Sequence, residues 1–321
     1  MSRKDRPSER RTMDCEQFER EELPHLAEVL SFGNSHQSSV YADSTGVKSP
    51  EVVFRGLFLS QNRLVSEEYL LNYRRNTADM SLLIGVGNYG MPMTVGAIAA
   101  RRIVPRADRL RALPNYDPLK APIGSVIRSR RSGRQYSGRP ITEKELSTML
   151  FYAQGETGEL ETNLPPTVTL GDTRALALRA APSGGGLHPI YLYFVATHVE
   201  SFEPGLYRYV PHGHAVELVT PLAPDFDLTQ LGSFAEMDHT KIAILFLYVY
   251  HFYENARKYG DLGLSFALLE SGAIAENIHL TCTALGLGSC DIGGIKKRAC
   301  EKLVDLDSLS EHVIHMTVAG K

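Results

Sequence analysis

The chain has 321 residues, room for about two domains of ordinary size, and carries 34 basic against 37 acidic side chains for a net charge of −3. Its hydrophobic (43%) and charged (22%) fractions are those of a globular protein, which excludes a wholly disordered, collagen-like or disulfide-stapled chain. Bulk attraction to nucleic acid is not expected at this charge, and four cysteines without C-x-x-C spacing read as buried, reduced thiols rather than zinc ligands.

Residues 1–22 are polar and charged, with no apolar segment of the kind a secretory signal needs, and are expected to form a mobile tail on a cytoplasmic protein. Residues 23–115 form an N-terminal region whose role is open; peptide or partner binding would suit it. A helix is predicted over Ser66–Arg75. The uncharged stretch Met80–Ala100 is long enough to span a bilayer, but Gly85, Gly87, Gly90, Gly96, Asn88 and Pro92 dilute it, so no span is expected. Gly85 to Gly90 matches G-x-G-x-x-G, yet Pro92, Thr94, Val95 and Gly96 make a poor helix behind it. A glycine-rich loop is expected there rather than a dinucleotide fingerprint. Leu113–Pro118 reads as a linker, and a second domain is expected over residues 116–321.

From Ile123 the signals sharpen. Thr142 and Glu145 form a capping box, with Leu146, Met149, Leu150 and Ala153 at helical spacing behind it and Gly155 as the stop. Ile190–Ala196 reads as a strand. Leu206–Val210 and Ala215–Val219 read as a hairpin, with His212 and His214 in a solvated turn rather than a metal site. Ile242–Tyr250 is a buried strand, Leu262–Leu285 a long helix stopped by Gly286, and His312–Val318 a last strand. Strands and helices mix without a strict β-α-β beat, which favours an α+β fold.

Three elements carry chemistry. Arg101 to Arg139 holds ten Arg and one Lys against Asp108 and Asp117, a local +9. Within it, Arg130-Arg131-Ser132-Gly133-Arg134 packs guanidinium groups and a hydroxyl as one phosphate would need. Pro182-Ser183-Gly184-Gly185-Gly186-Leu187-His188-Pro189 precedes a strand, and its glycines let backbone approach a flat ligand. Gly286 to Gly294 is a second glycine-rich loop, placed to set amides against a ring edge.

Together these elements resemble the FMN-dependent nitroreductase family over residues 105–321. More narrowly, they resemble its thiazole/oxazole-forming (SagB-type) dehydrogenases. The helix pattern E-x-G-x-x-x-x-N appears as Glu270, Gly272 and Asn277, and a Lys-Tyr pair precedes that helix as Lys258-Tyr259. Gly272-Ala273 and Glu276-Asn277 depart from the pairs common in the subfamily. The resemblance implies a nitroreductase-like FMN-binding fold, a central sheet flanked by helices, with an N-terminal extension. It also implies a homodimer with FMN at the interface. Arg130, Arg131, Ser132 and Arg134 would hold the phosphate and ribityl chain. Ser183 and Gly184 would reach the flavin from the partner subunit, Pro182, Gly186 and His188 would also bind the cofactor, and Gly293 and Gly294 would face the ring.

The implied reaction oxidises azoline rings of a ribosomally made precursor peptide to azoles, after a cyclodehydratase has formed them, and a complex with that cyclodehydratase would suit it. The ring loses a proton and a hydride. Lys258 and Tyr259 are the candidate proton-handling pair, since a base must be tuned toward the working pH by burial or a neighbouring positive charge. Two other readings stay open: an NAD(P)H-dependent flavin reductase, and a flavin-less assembly subunit of a peptide-modifying complex. Neither nucleic acid nor membrane is expected as a partner.

Overall fold

The computed structural model describes residues 66, 69–70, 80–89, 107–161 and 175–321. The expected tail at 1–22, most of the region 23–115 and most of the helix at Ser66–Arg75 lie outside them. Chain contacts separate a unit at Met1–Ala78 from one at Asp79–Lys321. The second unit therefore takes in part of the segment that the sequence reading placed before the domain at 116.

A seven-stranded sheet organises the second unit. Its strands are β1 (Leu110–Ala112), β4 (Ile190–Ala196), β5 (Gly205–Val210), β6 (Ala215–Pro221), β8 (Ile244–His251), β9 (Gly288–Asp291) and β11 (Glu311–Gly320), in spatial order β1-β6-β5-β4-β8-β11-β9. Every pairing in it is antiparallel. Two-stranded ribbons pair β2 (Glu156–Glu161) with β3 (Ala175–Arg179), and β7 (Gly232–Ser233) with β10 (Gly294–Ile295). The helices are α1 (Met80–Tyr89), α2 (Ile123–Ser129), α3 (Glu143–Gln154), α4 (Phe252–Tyr259), α5 (Leu262–Leu285) and α6 (Lys297–Val304).

Alternation in β8 divides the core between the two faces of the sheet. Phe246, Tyr248 and Tyr250 pack with Leu146, Met149 and Leu150 of α3 and Ile274 and Ile278 of α5. Leu245, Leu247 and Val249 pack on the other face with Leu228, Cys300 and Val304. The fold is thus the expected α+β sheet flanked by helices. Cys282, Cys290 and Cys300 are buried free thiols.

Most local expectations hold. Thr142 accepts a bond from the Glu145 amide at 3.1 Å, and the Glu145 carboxylate accepts from the Thr142 amide at 2.8 Å. Thr142→Ala is expected to cost about 1 kcal/mol, read from the urea midpoint at constant slope. α5 stops at Gly286, whose φ of +72° is left-handed.

Three expectations fail. Gly85–Tyr89 is not a loop: α1 runs from Met80 to Tyr89, and Gly90 lies outside the described residues. Its helical Gly85 lies so close to α4 that a Cβ would come within 2.8 Å of the Lys258 carbonyl oxygen. A bare backbone here permits close helix packing, which the glycine-loop reading missed. His214 is not solvated, because it bonds to Ser147 Oγ at 2.7 Å and Tyr209 OH at 2.9 Å. His212 is half exposed and reaches Glu156 at 3.3 Å. The stretch Gly286–Gly294 is not all loop, since its middle is the edge strand β9.

Candidate active site

The Pro182–Pro189 segment links β3 to β4. It turns at Gly185 (φ +67°), Gly186 (φ +66°) and His188 (φ +49°), conformations that glycine adopts at little cost. The segment rests on the α4–α5 corner. A Cβ on Gly184 would come within 2.9 Å of the Phe266 ring, and one on Gly185 would fall on the Tyr259 hydroxyl and within 2.6 Å of Lys258 Nζ. The last turn of α4 therefore brings Lys258 and Tyr259 against the loop. Lys258 Nζ lies 5.0 Å from the Tyr259 ring centroid, and Phe266 meets that ring edge-on at 4.8 Å.

A polar group lies under this loop. The Ser183 hydroxyl accepts from the His188 amide at 2.8 Å and bonds the Glu270 carboxylate. Glu270 is 2% exposed and its Oε2 has no partner among the described residues, nor have Arg179 Nε and His188 Nδ1. Burial, reinforced by the Arg179 charge, pushes His188 down to about 3, so its ring is neutral. Burial pushes Glu270 up to about 7, against its bonds from Ser183 and Ile190 and the Arg179 charge. The folded chain then holds this proton more tightly than the unfolded chain. The contribution to stability is full below the ordinary value of 4.5 and is lost as pH rises through about 7. Its size is about 3 kcal/mol. Glu270→Gln is expected to remove that decline when urea unfolding is compared at pH 5 and pH 8.

The arginine element follows α2. Ser132 bridges to Ser289 of β9, and the Gly133 amide donates to the Ser289 carbonyl at 2.8 Å. A Cβ on Gly133 would come within 3.0 Å of the Gly288 Cα, so this close approach needs bare backbone at Gly133. Arg131 bonds the carbonyls of Arg128 and Arg130, and Arg134 reaches the Ser132 carbonyl at 3.5 Å. Among the described residues none of Arg130, Arg131 and Arg134 has a carboxylate partner, which leaves their charge for an anion. Gly293 is open, with nothing within 4 Å of a Cβ built on it, while Gly294 pairs with Ser233.

Beside this element a cavity of about 230 Å³ opens between α5, β9 and β11. Asp291 Oδ1 gathers three donors there: His315 Nε2 at 3.0 Å, His279 Nε2 at 3.1 Å and Thr317 Oγ1 at 2.7 Å. Bonds from both imidazoles and Thr317 hold its carboxyl far below the usual carboxylate range, although burial works the other way. The sequence reading missed this group. Asp291 directly precedes Ile292-Gly293-Gly294, but His279 and His315 lie far from it in the chain.

The structure thus brings the predicted site residues together in two groups. Pro182, Ser183, Gly184, Gly186 and His188 join Lys258 and Tyr259. Arg130, Arg131, Ser132 and Arg134 join the strand that leads to Gly293 and Gly294. The first group meets α5 at Phe266 and Glu270. The second meets it at His279, whose Nδ1 bonds Ser289 at 2.8 Å. Phe266 and His279 are about 20 Å apart along the helix at about 1.5 Å per residue.

Both groups lie within a region that matches known proteins. The family model described as "Nitroreductase family" matches residues 127–321. A Methanocaldococcus jannaschii protein described as a nitroreductase is 29% identical over 181 residues, 56% of this chain and 82% of the relative. A solved Ralstonia eutropha protein of the same description has a TM-score of 0.51 and 25% identity, covering 69% of this chain and 93% of its own. A chain of the Escherichia coli microcin synthetase McbBCD complex, solved with truncated pro-MccB17 bound, also has a TM-score of 0.51. Its identity is 20%, over 77% of this chain and 99% of its own, a likeness of fold alone. Among the described residues no helix is long and apolar enough to cross a membrane.

Proposed function

The chain belongs to the nitroreductase family of oxidoreductases, and on that premise we propose that it is an FMN-dependent dehydrogenase that oxidises azoline rings of a modified peptide to azoles. The observation that carries the reading is the contact between Gly185 and the Lys258–Tyr259 pair. The two sequence features of the azole-forming subfamily, distant in the chain, pack as one unit.

The residues fit FMN. Arg130, Arg131 and Arg134 offer guanidinium groups without carboxylate partners among the described residues, beside Ser132, as a phosphate monoester requires. Gly293 leaves room at the ring edge. A bound flavin would supply hydride acceptance. The chain's own residues would do the rest. The Ser183–His188 loop would orient the ring, and Lys258 and Tyr259 would take up the proton that leaves with the hydride.

The separation of the two groups along α5 supports a homodimeric site, in which the loop of one copy meets the arginine element of the other. Leu269, 71% exposed on α5, suits such an interface. Sedimentation equilibrium should give twice the chain mass.

The reaction is tested with a synthetic peptide carrying one thiazoline, mixed with FMN-loaded protein in air. A mass loss of two hydrogens per ring supports the reading. An unchanged peptide together with NADPH-driven bleaching of the flavin would replace it with a reductase.

A further inference from the structure

We propose that His315, held by Asp291, is the acid–base residue of the cavity between α5, β9 and β11, and that it delivers a proton to the small electron acceptor that reoxidises the protein. The proposal rests on the flavin-dependent oxidation above and adds a residue to it.

The geometry of the hydrogen bonds carries the argument. His315 donates Nε2–H to Asp291 Oδ1 at 3.0 Å. That bond fixes the tautomer and leaves Nδ1, which has no partner among the described residues, with its lone pair, the arrangement by which a carboxylate prepares an imidazole for proton transfer. His279 makes the same bond to Asp291 but is closed on its other side by Ser289 Oγ at 2.8 Å. His279 is therefore a strut and His315 the open member. Thr317 donates to the same Oδ1 at 2.7 Å and is itself bonded by Tyr248 OH at 3.0 Å, which braces the carboxylate from the sheet. The groups facing His315 are Asp291 on β9, His279 and Glu276 on α5, and the Tyr248 ring at 4.9 Å on β8.

Location gives the role. His315 and Asp291 line the cavity, and Asp291 is two residues from Gly293. A volume of about 230 Å³ has room for a small molecule. Lys258 and Tyr259 sit in the other group, against the Pro182–Pro189 loop. The two proton groups are not redundant. The ring gives up one hydride and one proton. Dioxygen, taking the same two electrons and both hydrogens, leaves as hydrogen peroxide. Lys258 and Tyr259 would remove a proton from the ring, and His315 would deliver one to the acceptor. His315 would take a proton from solvent at Nδ1, with the imidazolium paired to Asp291, and pass it to the reduced acceptor.

Two measurements test this. Long-range ¹⁵N–¹H NMR on histidine-labelled protein needs no flavin. Neutral His315 is expected in the Nε2–H form, and Asp291→Asn should mix the tautomers. A dominant Nδ1–H form would overturn the proposal. In the second, FMN-loaded protein is reduced with dithionite and mixed with air-saturated buffer, and the flavin band is followed. His315→Gln should slow its return at least tenfold with FMN retained. An unchanged rate in His315→Gln would overturn the proposal while leaving the flavoenzyme reading intact. Failure of the wild-type chain to bind FMN would instead remove that reading, and with it the role of His315.

Discussion

Replacing Arg130 and Arg134 together by Ala is expected to weaken FMN binding by two to four orders of magnitude. A hydrogen bond to a charged group contributes about 1.5–3 kcal/mol, and about 1.4 kcal/mol is tenfold in affinity. Neither side chain has a carboxylate partner among the described residues, so neither change breaks an ion pair seen there. Arg134 is exposed, and substitutions at such sites usually change stability by about 0.5 kcal/mol or less. Quenching of flavin fluorescence on titration gives the dissociation constant, and circular dichroism checks that the fold is kept. Arg134→Lys should recover only part of the loss, because an ammonium lacks the paired donors of a guanidinium.

The second large effect is expected at the other group. Lys258→Ala with Tyr259→Phe should retain FMN and lose turnover of a thiazoline peptide by about 10²–10⁴-fold, the usual worth of a positioned proton acceptor. The changes are subtractive and add no bulk at Gly185, where the loop has none to spare. A stopped-flow trace under anaerobic conditions isolates the reductive half of the reaction, in which the loss should appear. Flavin loss from the double variant would assign the pair to holding the loop instead.

The sheet and its flanking helices were legible because their signals are local. The nine apolar residues Ile242–Tyr250 have the length of a buried strand, and Thr142 with Glu145 closes a helix within four residues. The arginine element and the Pro182–Pro189 loop were legible as residue types suited to an anion and a flat ligand. Their separation along α5 was not, because distance in space has no counterpart in spacing along the chain. Gly85 misled for a related reason. Its helix exists because α4 passes close by, a tertiary fact that outweighs the low helix propensity of glycine.

The Asp291 group shows the same limit from the other side. Its histidines come from a helix and a strand, with no motif to join them. Antiparallel pairing of β9 with β11 sets Thr317 opposite Asp291, and His315 follows on the same face two residues away. His214 was misjudged because a hairpin tip usually faces water. Here it packs on α3, and Ser147 and Tyr209 satisfy both ring nitrogens.

The central claim is that this chain carries FMN, and the absorbance spectrum of the purified protein tests it most directly. Oxidised flavin bands near about 370 and 450 nm, with one FMN released per chain on heating, are the result expected. A colourless protein that takes up no FMN on reconstitution would contradict the account and favour an assembly subunit without flavin.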